Sequence, residues 1–144
     1  MNGNQVSNVE AQLRTMRTVW LAALFSIGGY YVVCLLNQRR EDLEPNNTLF
    51  LVFVGVSLAA TLVSFFIKSQ LLNRAIEQQQ VPQARQAYVA AWAITEVGAI
   101  LGIIDYFATR DRYYYLLFVI AFCGQLLHFP RRADVLNASF KRSI

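Results

Sequence analysis

The chain has 144 residues, 56% of them hydrophobic and only 15% charged, against roughly 25% charged in a typical soluble domain. Its mean hydropathy is +0.35. That composition excludes an ordinary soluble domain and predicts an all-α polytopic membrane protein, one membrane domain over residues 1–144. The net charge of +4 is split among short segments beside apolar runs, which excludes a nucleic-acid surface.

Ser7-Asn8-Val9-Glu10 matches a capping box, so a helix is predicted to start near Ser7. It would run along the membrane interface through Leu13 and Met16 and enter a first span, Thr18 to Leu36. Trp20 falls where an aromatic-belt residue belongs. The run starts too late and is too long for a cleaved leader. After the polar stretch NQRREDLEPNN comes a second span, Thr48 to Ile67. No breaker follows it, and Leu71, Leu72, Ala75 and Ile76 keep to one side. A cytoplasmic helical extension over about 68–80 is therefore predicted. Val81-Pro82 turns the chain, with Pro82 suited to a first helical turn.

The third span covers about 87–108 and the fourth 113–129, joined by a very short link, Thr109 to Arg112. The fourth is the shortest. Each run spans or nearly spans about 30 Å of hydrocarbon at 1.5 Å per residue. Tyr113-Tyr114-Tyr115 is read as an outer aromatic belt, and the polar tail after Arg132 as loose.

Basic residues set the orientation. Arg14, Arg17, Lys68, Arg74, Arg85, Arg131, Arg132, Lys141 and Arg142 fall on one side, and Arg39, Arg40, Arg110 and Arg112 on the other. The larger group marks the cytoplasm, so both termini and the middle loop are expected there, with a bacterial inner membrane as the location. Cys34 and Cys123 would lie at different depths, too far apart for a disulfide, and are read as packed thiols.

Small residues recur. Ala22, Ser26 and Gly29 of the first span match Ala91, Thr95 and Gly98 of the third at one offset; Ser57, Ala60 and Ser64 of the second match Ala121, Gly124 and His128 of the fourth at another. This predicts two helical hairpins in the same orientation. Helix packing is expected at Gly55, Ser57, Ala59, Ala91, Gly98 and Gly102, where small side chains let backbones approach.

Glu96 stands alone in the uncharged stretch from Ala87 to Ile104. A carboxylate near the bilayer centre costs at least about 2.5–3.5 kcal/mol, so it usually faces protein or water and usually has a function. It is the candidate proton- or cation-binding group, with Thr95, Gln125, Tyr30 and Tyr31 as hydrogen-bond partners. Asp105 is expected to pair with Arg110 or Arg112 near the outer interface. His128, beside Pro130 and two arginines, reads as an interfacial histidine. No metal-ligand spacing, phosphate loop or nucleophile motif is present, so neither cofactor, metal nor enzymatic activity is expected.

With these residues placed, the stretch from about Gly55 to Ile104 resembles the helical hairpin of the rotor-ring c subunits of rotary ATPases. The resemblance rests on the small set Gly55, Ser57, Ala59 and Thr61, the polar loop Gln79-Gln80-Val81-Pro82, and the returning helix Ala93 to Gly102 with Glu96 inside it. The four-span proteolipids of vacuolar-type ATPases are similar over the whole chain. The resemblance implies self-association and an ion-binding role for Glu96. The chain departs from that pattern in its single second-span glycine, in Phe50, Phe53, Phe65 and Phe66, and in lacking an arginine before the loop glutamine. It is therefore similar to a bacterial four-span protein of c-like ancestry rather than to a working rotor subunit. The other class open to it is a structural or accessory subunit of a larger membrane complex. The bilayer is the partner in both.

Overall fold

The computed structural model describes residues 3–37, 47–108 and 113–139. It is all helical over these: α1 (Gly3–Leu36), α2 (Asn47–Gln78), α3 (Val81–Ala108), α4 (Tyr115–Leu127) and α5 (Arg132–Ser139). The stretches around Arg39, Arg40, Arg110, Arg112, Lys141 and Arg142 lie outside the described residues. α1 begins at Gly3 rather than near Ser7. The expected loose tail contains a helix, α5, whose Val135 and Ala138 are fully buried.

Three helices are long and apolar enough to cross a membrane: α1 from Val9, α2 and α3. α4 is shorter, 13 residues or about 20 Å. Turns of the 3₁₀ type extend it at both ends, from Tyr113 and Tyr114 carbonyls at the start to the Phe129 N–H at the finish.

α2 and α3 form the most extensive interface and run antiparallel. Their inner faces follow a seven-residue repeat. α2 contributes Phe50, Ser57 and Ser64, with Thr61 half-buried between them; α3 contributes Ala84, Ala91, Thr95, Gly98, Gly102 and Asp105. Such a repeat keeps one seam of each helix against its neighbour. The turn closes tightly: Gln79 adopts φ 54°, and the Gln80 N–H donates to Ala75 O at 3.0 Å, a Schellman-type end.

α3 is the centre of the bundle, touching every other helix. α1 runs parallel to it, and α4 returns antiparallel. The expected pair of hairpins is not what the structure has. α1 and α2 do not approach each other among the described residues, and α3 with α4 lies between them. The offset repeat fails in packing between α1 and α3, because Ala22 and Gly29 are exposed while Ala91 and Gly98 are buried; between α2 and α4 the matched Ser57 and Ala121, and Ser64 and His128, are all buried.

Four of the six expected packing residues are buried: Ser57, Ala91, Gly98 and Gly102. Gly55 and Ala59 are exposed, and nothing lies within 4 Å of a Cβ built on Gly55. Residues two apart point to different sides of a helix, so the alternating set Gly55-Ser57-Ala59-Thr61 cannot share one face. A Cβ on Gly98 would meet Ala121 Cβ at 3.3 Å and Ser57 Oγ at 3.4 Å; on Gly102 it would meet the Phe118 ring at 2.8 Å. Cys34 is packed, but Cys123 is exposed, and no disulfide joins them.

Two apolar clusters fill the ends of the bundle. One holds Val9, Leu13 and Met16 against Ala84, Tyr88, Trp92 and Val135. The other holds Ile27 and Cys34 against Ala99, Tyr106, Tyr114 and Phe118. Tyr114 is thus an inner residue, while Tyr113 and Tyr115 are exposed. The outside is apolar: Phe25 is 77% exposed, Leu62 71% and Phe66 64%. Only 11% of the most apolar window of α1 and 17% of that of α2 is covered, against 44% for α3. Apolar residues outside and polar ones inside suit a lipid surrounding.

Gly98→Leu is expected to force α2 and α4 away from α3 and to cost about 3 kcal/mol. Thermal unfolding in detergent micelles, followed by circular dichroism, measures it. A variant that melts with the parent would show that Gly98 is not a point of close approach.

Candidate functional site

A polar layer separates the two apolar clusters. α3 enters it through Trp92, Thr95 and Glu96, α2 through Ser64, α4 through Gln125 and His128, and α1 through Trp20 and Ser26. Thr95 and Glu96 are neighbours in sequence, so on a helix their side chains leave about 100° apart. That angle divides the layer into two clusters.

The first cluster lies between α1 and α3. The Ser26 hydroxyl donates to Glu96 Oε1 at 2.6 Å and also lies 2.9 Å from Ala23 O. The Tyr30 side chain lies within electrostatic reach of the same carboxylate. Glu96 is half-buried and faces protein on this side. No described Lys or Arg forms an ion pair with it. Hydroxyl donors alone can hold a carboxylate, but they do not neutralise its charge.

The second cluster lies among α2, α3 and α4. Thr95 Oγ1 is 2.8 Å from Gln125 Oε1, and its single proton is also within reach of the Trp92 and Ala91 carbonyls at 2.9 and 3.0 Å. The expected set of Glu96, Thr95 and Gln125 is therefore split. Thr95 and Gln125 bond to each other, and the bonds of Glu96 go to α1. Tyr31 stacks on Tyr114 and meets Phe118 edge to face instead of joining Glu96.

His128 is 0% exposed and faces the protein interior. Its Nε2 lies 2.7 Å from Ser64 Oγ, and its ring packs against Phe65 at 4.3 Å. The Ser64 hydroxyl also lies 2.6 Å from Thr61 O. Ser64 is 0% exposed as well, and the pair links α2 to α4. The atoms Gln125 Nε2 and His128 Nδ1 are buried without a described partner.

Both tryptophans bind the end of α4. Trp20 Nε1 donates to Gln125 O at 2.8 Å, and Trp92 Nε1 to His128 O at 3.1 Å. The last carbonyls of a helix have no partner of their own, and α4 stops inside the protein. Trp20 therefore donates inward. Sequence reasoning missed this pair; the signal available was two indoles facing a helix that a proline, Pro130, brings to a stop.

Below the layer, Tyr88 ties α3 to α5. Its hydroxyl donates to Asp134 Oδ2 and accepts from the Arg131 N–H at 3.2 Å. Lys68 Nζ sits 4.4 Å from the centre of the Tyr88 ring. Asp105 is fully buried on α3, and its expected partners Arg110 and Arg112 lie outside the described residues. Comparison with family models, curated proteins and solved structures gave no match.

Thr95→Val is expected to leave the Gln125 amide without its buried partner and to cost about 1–3 kcal/mol. Adding Gln125→Leu should recover part of that loss. A double-mutant cycle from unfolding in micelles reads the coupling; strictly additive costs would show that the two side chains act independently.

Proposed function

We propose that this chain is a four-span integral membrane protein, with both termini cytoplasmic, in which Glu96 binds and releases a proton or cation at the α1/α3 seam. One observation carries the reading: an acidic group in an apolar helix, half-buried, with hydroxyl partners and no described basic one. Ser26 and Tyr30 offer oxygens beside the carboxyl group that can accept a proton from it. The bond to Ser26 ties the site to α1, so loss of the proton would change how α1 is held. The reading is c-subunit-like, and the α2/α3 hairpin with its polar loop supports that likeness.

Self-association belongs to the same reading. Ala91, Gly98 and Gly102 are already covered by α2 and α4. The small-residue faces left for a second copy are Gly28 and Gly29 on α1, and Gly55 and Ala59 on α2. The alternative is a non-catalytic accessory subunit of a larger membrane complex, favoured by the wide apolar faces of α1 and α2. Native mass in detergent distinguishes the two: copies of one chain against stoichiometric co-purification with others.

Orientation is supported by charge. Arg14, Arg17, Lys68, Arg74, Arg85, Arg131 and Arg132 belong to the end of the bundle that holds the Val9–Val135 cluster, and Glu10 pairs with Arg132 there at 3.1 Å. In a Cys123→Ser background, an impermeant maleimide added to intact bacterial cells should label Asn47→Cys and leave Ser143→Cys unlabelled. Labelling of Ser143→Cys would overturn the four-span topology.

Glu96→Gln should fold and assemble like the parent, because Gln matches the neutral acid in shape. Carbodiimide modification and any proton- or cation-coupled signal should be lost. Infrared difference spectra of the parent should show a protonated carboxyl band that is missing in the variant. A carboxylate ionised at neutral pH in the absence of a cation would rule out the proton-binding form of the proposal.

A further inference from the structure

A groove of about 720 Å³ runs between α1 and α3 on the side away from α2. Its two ends differ in chemistry. At one end are Gln12, Arg85 and Gln86; toward the other, Val89, Ala90 and Ala93. No acidic residue is among the described residues that line it. Arg85 is exposed and makes no ion pair with a described residue, whereas Arg132 is matched to Glu10 and Arg17 lies over the Phe129 ring at 5.2 Å. Arg85 stands two residues before the apolar run that starts at Ala87, at headgroup depth if that run crosses the bilayer. From there to Ala93 the groove descends about 12 Å into the hydrocarbon region. A cationic, hydrogen-bonding head above a smooth apolar floor has the polarity of an amphiphile laid along it.

We propose that this groove is a binding site for one anionic phospholipid, with its phosphate on Arg85 and an acyl chain against Val89, Ala90 and Ala93. A guanidinium binds phosphate oxygens in bidentate fashion, and basic pockets between membrane helices select anionic headgroups. The small side chains of Ala90 and Ala93 leave room for the chain. The inference rests on the membrane reading above.

The test uses the full chain in nanodiscs of phosphatidylcholine doped with phosphatidylglycerol, with lipid retention read by native mass spectrometry after release into detergent. The parent should keep one phosphatidylglycerol in preference to phosphatidylcholine. Arg85→Gln should lower that preference about fivefold, the worth of one basic contact at the surface. Arg74→Gln, exposed on α2 outside the groove, should leave it unchanged. Ala93→Phe should expel lipid whatever its headgroup. Gln86→Arg should raise the preference, a gain that cannot come from misfolding. Equal retention of the two lipids by the parent, an equal effect of Arg74→Gln, or a dimer that Ala93→Phe splits would each overturn the lipid site. A chain that does not enter nanodiscs would instead overturn the membrane reading itself.

Discussion

The bundle depends on α3 having almost no side chain where its neighbours cross it. Gly98 lets Ser57 of α2 and Ala121 of α4 come within touching distance of one backbone, and Gly102 makes room for the Phe118 ring. In lipid, burying apolar surface gives little drive for helices to associate, so close packing and interhelical hydrogen bonds supply it. The approach at Gly98 provides the first. By bringing three helices close, it also makes the second possible, since Thr95 reaches Gln125 and Ser64 reaches His128 only across short gaps.

The polar layer follows from that constraint. Hydroxyls, an amide and an imidazole would each cost free energy if buried alone, but here most are spent on one another or on carbonyls. The Trp92 indole serves the same purpose for the His128 carbonyl at the end of α4, and Trp20 adds a second bond to Gln125 O, which already accepts the His128 N–H. Glu96 stands apart because it is the acidic member of the layer and lies at its edge, where α1 covers only part of α3.

Much of the architecture was legible in the amino acids. The stripe from Ala84 through Thr95 to Gly102 is spaced by three and four, and all of it is buried. Pro82 and the glutamines around it mark the α2/α3 turn. Other features were hidden for physical reasons. Arg132 to Ser139 carries too few apolar residues to announce a helix, and its burial depends on Val135 and Ala138 meeting α1, α2 and α3. His128 sits beside charged residues in sequence yet is turned inward by the end of α4. Which helices are neighbours is a long-range property; the spacing of small residues cannot show that α1 packs on α3 rather than on α2. The pairing of Glu96 with Ser26 belongs to the same class, because it links residues 70 apart.

The separation of α1 from α2 bears on how the chain is made. Synthesis runs from the N-terminus, so α1 emerges first and its immediate successor offers it nothing to hold. In a bilayer it would be without a packing partner from α2 until α3 arrives, and its mostly apolar outer surface suits that interval. α3 carries the costliest residue to insert, and it arrives when Ser26 and Tyr30 are already in place. The first helix thus acts as an intramolecular reception site for the acidic third, and the order of translation matches the order in which the partners are needed.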